Sequence, residues 1–336
     1  MGRRGRLTAR VGAAVLMLAS GGALSTRRDR AHAVELAERL CPGTLRYVAD
    51  RTLWPAFDGS EVTFATTDDP DAVVRLRVDT RIGRCGRDRP CEQELADAVA
   101  RGRERAASFR SLRAALARGG HELHAVRETV THPWITADLG DGDVSATLRE
   151  IGECLADWRS GEEPWRVTVN IAASGAARRL PTGGDDRPTL LRLSDDGRLG
   201  ALARGRHLSV DYTAEPGGTP TPARGRLELP FRQRQAFEET LRKEFDARMR
   251  GRRPGARGRR FHQVRYLVPG RVDRMRGHVR SSDQTSADDG LRGRRADHVA
   301  LVTTDLDGRL VEEPRVAQEG GRVTGGRPGP LLPPAL

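Results

Sequence analysis

A chain of 336 residues is long enough for about two domains, and 37% apolar residues with 38 glycines is ordinary for a soluble globular protein. The formal charge of +12 suggests nucleic acid until it is divided: residues 1–30 carry +6, residues 231–300 carry +10, and the remainder carries −4. Of the 58 basic residues only Lys243 is a lysine, a skew that fits GC-rich coding, so the arginine count is no argument for nucleic-acid binding.

In chain order, Arg3, Arg4, Arg6 and Arg10 precede an uncharged, mostly apolar run of 14 residues, Val11 to Leu24. That pattern predicts an export signal over residues 1–25, and the run is short of the roughly 20 residues that a membrane-spanning helix needs. Ala23, Leu24 and Ser25 supply a small-x-small cleavage site before Thr26. A first domain is expected over residues 26–160. It starts with a helix, Arg28 to Leu40, carrying Ala33, Leu36, Ala37 and Leu40 on one face and stopped at Cys41, Pro42 and Gly43. Strands follow at Leu45 to Val48, Glu61 to Thr66 and Val73 to Val78, with turn signals at Asp58-Gly59 and Asp69-Pro70.

The strongest periodic signal is a helix over Cys91 to Arg118. Leu95, Val99, Gly102, Ala106, Phe109, Leu112 and Leu116 recur at steps of three or four, behind Pro90 and ahead of Gly119 and Gly120. It must bury that stripe, and the preceding strands offer a layer to pack on. A strand over Glu122 to Val130 and a helix over Val144 to Trp158, with Leu148, Ile151, Leu155 and Trp158, complete the first domain.

Ser160 to Pro164 reads as the boundary to a second domain over residues 164–317. Strands are expected at Trp165 to Ile171, Thr189 to Leu193 and Leu208 to Tyr212, with loops at 181–188 and 215–223. A helix then opens at Pro230, with Phe237, Leu241, Phe245 and Met249 at steps of four. Further strands are expected near Phe261 to Val268, Val272 to Val279, Val299 to Thr304 and Arg309 to Val316. Ser281 to Gly290 and a Gly/Pro-rich tail, residues 318–336, have the composition of disordered segments. The expected fold class is therefore α+β: two units of helix plus mostly antiparallel strands, packed by amphipathic helices, without a residue-level repeat.

Leu18, Ala19, Ser20 and Gly21 resemble the lipobox of bacterial lipoproteins, except that Gly21 and Gly22 stand where the cysteine is required. With the runs Ala33 to Gly43 (AVELAERLCPG), Cys85 to Leu95 and Val302 to Pro314 (VTTDLDGRLVEEP), the chain resembles a family of actinobacterial exported lipoproteins of unknown function. The resemblance implies membrane tethering. The missing thiol instead predicts a secreted or envelope protein without a lipid anchor.

The four cysteines, Cys41, Cys85, Cys91 and Cys154, form an even set in an exported chain and read as two disulfides. Of the three possible connectivities the favoured one pairs Cys85 with Cys91, which closes a compact loop, and Cys41 with Cys154. A tetrathiolate zinc site lacks the close Cys pairs of zinc modules, and a nucleophilic cysteine needs a thiolate that a paired sulfur is not. His121, His124 and His132 lack the HExxH spacing and, on a strand, residues 121 and 124 face opposite ways; they read as surface and edge histidines. Asp305, Asp307 and Gly308 fail the calcium-loop register and read, like Asp196-Gly197, as hairpin turns; Asp138, Asp141 and Asp143 read as a solvated turn. There is no P-loop, GxSxG elbow or strand-borne GxGxxG to call for a cofactor. Seven arginines within residues 248–260, among them Arg252, Arg253, Arg257, Arg259 and Arg260, form a basic loop suited to anionic lipid headgroups or wall polymers. The functional expectation is a non-catalytic binding module of the cell envelope, with no nucleic-acid partner; the alternative is a secreted hydrolase whose site is dispersed along the chain.

Overall fold

The computed structural model describes residues 26–86, 89–127, 129–158, 165–181, 186–214, 218, 220–251, 257–258, 263–282 and 298–319. The expected export signal, most of the basic loop, most of the segment 281–290 and most of the tail lie outside them, while Gln318 and Glu319 of the expected tail end a strand. The fold is α+β, and its chain falls into two units. Unit 1 comprises residues 1–111, 128–130 and 182–195; unit 2 comprises residues 112–127, 131–181 and 196–336.

In unit 1, helix α1 spans residues 26–40. Four antiparallel strands follow in sequence order: β1 (Leu45–Thr52), β2 (Ser60–Thr66), β3 (Val73–Asp79) and the short β4 (Arg84–Cys85). Gly59 turns the β1–β2 connection at φ +80°, where only glycine is unstrained. Alternation then divides the residues of β2 and β3. Val62, Phe64, Val74, Leu76 and Val78 are buried in one cluster with Ala33, Leu36 and Ala37 of α1 and with Leu95 and Ala98 of helix α2 (Cys91–Arg118). At about 1.5–3 kcal/mol for each large side chain taken from water, this cluster is the main force joining both helices to the sheet. The opposite parity carries Glu61, Arg75 and Arg77. Cys85 and Cys91 are disulfide-bonded with Cα atoms 4.7 Å apart, tying β4 to the start of α2. Gly102 lets α2 approach β3: a Cβ there would lie 2.7 Å from the Val73 carbonyl oxygen.

Unit 2 holds a long sheet. Its strands are β5 (Leu123–Val126), β6 (Pro133–Thr136), β7 (Trp165–Ala172), β8 (His207–Ala214), β9 (Thr221–Glu228), β10 (Arg257–Gly258), β11 (Gln263–Leu267), β12 (Arg274–Ser282), β13 (His298–Asp305) and β14 (Arg315–Glu319). They lie in the order β14-β13-β12-β11-β9-β8-β7-β6-β5, with β10 added to β12, and every pair but the parallel β6–β7 is antiparallel. Helix α3 (Val144–Trp158) buries Leu148, Ile151 and Leu155, and its Leu148 carbonyl accepts a 2.8 Å hydrogen bond from the buried Tyr212 hydroxyl of β8. Helix α6 (Phe231–Arg250) buries Phe237, Leu241, Phe245 and Met249, the expected stripe. Gly308, in the turn after β13 at φ +88°, would put a Cβ 2.5 Å from the Phe237 carbonyl oxygen. No helix of the described residues is long and apolar enough to cross a membrane.

Several expectations are corrected. Residues 160–164 do not divide the units, because β7 after them hydrogen-bonds to β6 before them in one sheet. Thr189–Leu193 is helix α4, not a strand: Pro188 stands at its entry with a φ suited to a first turn, and no strand pairs with it. Asp196 opens helix α5 (Asp196–Ala203), where its charge suits the positive end of the dipole, so Asp196-Gly197 is no hairpin turn. The last strand starts at Arg315, not Arg309, and only Leu310 bridges back to Thr304. Cys41 and Cys154 carry free thiols. Cys154 is buried beside Gly119, and the second expected disulfide is not formed.

Candidate functional site

The alternation that sends Val74, Leu76 and Val78 to the core leaves Arg75 and Arg77 together on the other parity of β3. On α2, Glu94, Arg101 and Arg105 follow one another at intervals of seven and four, which places them on one stripe beside the buried one. Both sets line a concavity of about 460 Å³ in unit 1, with Glu61, Gly86, Arg89 and Thr129 completing its wall. Five guanidiniums thus face two carboxylates.

The carboxylates are engaged. Glu61 is 5% exposed and accepts from Arg75 at 2.5 Å and from Arg51 at 2.9 Å. Burial pushes its carboxyl up, but the Arg75 and Arg51 charges outweigh burial and hold it below the ordinary value. Glu94 accepts from Arg101 at 2.7 Å, and Arg89 donates to Asp97 at 2.9 Å. Among the described residues Arg77 and Arg105 make no ion pair; Arg77 instead lies over the Phe57 ring, 5.0 Å from its centroid. Two guanidiniums are therefore available to an anion, and three more border it with their charge partly spent on neighbours. Planar forks of this kind match phosphate or carboxylate oxygens bidentately.

Sequence reasoning did not single out these residues, although period-2 alternation in VVRLRVD and the α2 spacing are both readable. The arginines it did select lie elsewhere. Arg252, Arg253, Arg259 and Arg260 are outside the described residues. Arg257 belongs to the backbone of β10, opposite Ser282, so that part of the expected loop is strand.

In unit 2, Asp211 of β8 accepts from Arg166 at 2.8 Å, Thr168 at 2.8 Å and Arg226 at 3.3 Å, a satisfied cross-strand node. His124 is not a surface residue: it is 6% exposed on β5, its Nε2 2.9 Å from the Thr136 hydroxyl, and burial lowers its pKa. A concavity of about 230 Å³, walled by Asp138, Arg206 and His207 among apolar residues, sits beside β8. Asp138 accepts from the Ser174 backbone N–H at 2.9 Å.

No family model, curated protein or solved structure matches the chain.

Proposed function

We propose that this is an exported protein of the cell envelope that acts by binding, and that its ligand is a phosphate-bearing anion such as a lipid headgroup or a wall polymer. The observation that carries this reading is the arginine-lined concavity of unit 1, whose charge exceeds what its own carboxylates neutralise. Binding is favoured over hydrolysis because both carboxylates of the concavity, Glu61 and Glu94, are already engaged by guanidiniums. Export rests on the basic and apolar N-terminal sequence, and the lack of a lipid anchor rests on the missing lipobox thiol. The basic residues Arg252, Arg253, Arg257, Arg259 and Arg260 add a second, sequence-blind attraction to an anionic surface.

Titration with inorganic phosphate and with poly(glycerol phosphate), followed by calorimetry, tests the reading. Saturable binding is expected, weakened at least about tenfold by Arg101→Gln with Arg105→Gln, since losing one charge-assisted bond of this class costs about 1.5–3 kcal/mol. It should weaken again between low and physiological salt. Absence of binding, or binding indifferent to both substitutions, overturns the proposal.

A further inference from the structure

At one end of the unit 1 sheet, three large apolar side chains stand in solvent. Trp54 is 64% exposed, Phe57 55% and Ile82 62%. Trp54 and Phe57 belong to the β1–β2 connection, which closes on itself through Leu53 N–H to the Gly59 carbonyl and Phe57 N–H to the Leu53 carbonyl, both 3.1 Å. Ile82 belongs to the β3–β4 turn, and Arg81 beside it reaches Asp58 at 3.2 Å, so the two loops form one tip. Single exposed apolar residues are common, but three on adjoining loops form a patch that needs an occupant.

Two observations say what that occupant is. The surroundings are basic: segments 26–30, 50–60 and 77–84 hold seven arginines against four aspartates, and of those four Asp29 and Asp79 are buried. The N-terminus of α1 is also fastened at this end, since buried Asp29 accepts from Ser60 at 2.7 Å and from the Thr80 hydroxyl and N–H at 2.8 and 3.0 Å. Helix α1 therefore starts beside the tip.

We infer that the Trp54, Phe57 and Ile82 tip docks on an anionic lipid bilayer, with the aromatic side chains in the interfacial layer and the arginines against headgroup phosphates. Aromatic residues with a polar edge favour that layer, and basic groups beside it gain from the surface potential. Arg77 connects the tip to the arginine-lined concavity, because it lies over Phe57 and also walls the concavity. The inference deepens the anion-binding reading, on which it rests for the phosphate contact, and names the bilayer as the source of that phosphate.

The test uses the full chain and vesicles of phosphatidylcholine with or without phosphatidylglycerol, some carrying bromine on the acyl chains. The readout is quenching of Trp54, taken as the difference between the wild type and Trp54→Phe. Co-sedimentation alone does not suffice, since residues 11–24 can carry the chain to a membrane without the tip. Brominated phosphatidylglycerol vesicles should quench Trp54, pure phosphatidylcholine vesicles should not, and acrylamide should quench it without lipid. Phe57→Ser with Ile82→Ser replaces only exposed side chains and should raise the lipid concentration for half-quenching at least about tenfold. Ile82→Ser alone, which leaves the Phe57–Arg77 contact in place, should leave phosphate affinity unchanged. Trp54 left unquenched by bound vesicles, or quenching unaffected by the double substitution, overturns the docking. Shielding of Trp54 from acrylamide before lipid is added assigns the patch to the chain's own residues 11–24 and also overturns it. Phosphate binding in the calorimeter without Trp54 quenching leaves the concavity reading standing, and quenching without phosphate binding leaves the tip as a purely apolar and electrostatic anchor and overturns the phosphate contact.

Discussion

Glu61 has two jobs that pull in opposite directions. Its carboxylate neutralises Arg75 and Arg51 in a nearly buried setting, and its charge also subtracts from the field that an anion meets in the concavity. Glu61→Gln removes the carboxylate and leaves both guanidiniums in place. The fold should lose about 1–3 kcal/mol, mostly through the better-buried Arg75, because hydrogen bonds to charged groups lie in that range. Phosphate affinity should rise at the same time. Urea unfolding and phosphate titration of the one variant check both signs. Gly102 offers a different residue-scale balance. Alanine would gain about 1 kcal/mol of helix propensity. The new methyl group, however, would lie 2.7 Å from the Val73 carbonyl, and overpacking of that kind costs about 1–3 kcal/mol. Gly102→Ala should therefore be destabilising on balance, and its phosphate affinity should fall as α2 is pushed from β3.

Among the elements, the Cys85–Cys91 disulfide is the one covalent closure in the described residues. In the chain-entropy picture a loop this short contributes about 2 kcal/mol. Denaturation without reductant followed by alkylation should label two cysteines, Cys41 and Cys154, and all four after reduction. Labelling of none would restore the second disulfide. Elements with unbroken periodicity were the legible ones: α2 and α3 have the bounds that their stripes predict, and the antiparallel strands of unit 1 follow the alternation of VTFAT and VVRLRV. What could not be read depends on partners distant in sequence. β9 starts inside the expected loop 215–223 and holds Pro222 and Gly225, yet β8 supplies seven residues of register for it. β6 is four residues long and opens on Pro133, a strand only because β5 and β7 flank it. The candidate site was half legible for the same reason. The spacing on β3 and on α2 can each be found, but nothing local says that the two stripes line one concavity.

For the whole molecule, acid should act on the two units in turn. His124, His132 and His207 all belong to unit 2, and burial lowers the pKa of each from 6.5. The unfolded chain therefore takes up protons first as pH falls through 6.5, and stability is lost from there downward. In unit 1 the depressed groups are carboxyls. The Arg81 hydrogen bond holds Asp79 below its ordinary 3.8, and Glu61 lies below 4.5. Their contribution is complete above those values and is lost only as pH falls below them. Trp134, Trp158 and Trp165 are all in unit 2, so tryptophan emission should report a falling urea midpoint between pH 6.5 and 5. Far-UV dichroism should retain a second, later transition down to about pH 4.5. One coincident transition at every pH would contradict this order.

The division of the chain also sets a timetable for synthesis. Unit 1 is not finished at Ser111, because residues 128–130 and 182–195 belong to it; Thr189 donates to the Pro70 carbonyl at 3.1 Å, and Arg46 reaches Asp186 at 2.9 Å. Translation at about 5–20 residues per second places the last of these pieces roughly 4–17 s after Ser111. For that interval the earlier residues wait for a strip of chain that has not been made. Ribosome-bound chains stalled near residue 150 should be cut by protease within the 45–79 sheet, and chains stalled past about residue 235, with residue 195 outside the exit tunnel, should resist. Under the export proposed above such a wait is useful: the end that enters the membrane first keeps its pliability until more than half of the chain exists.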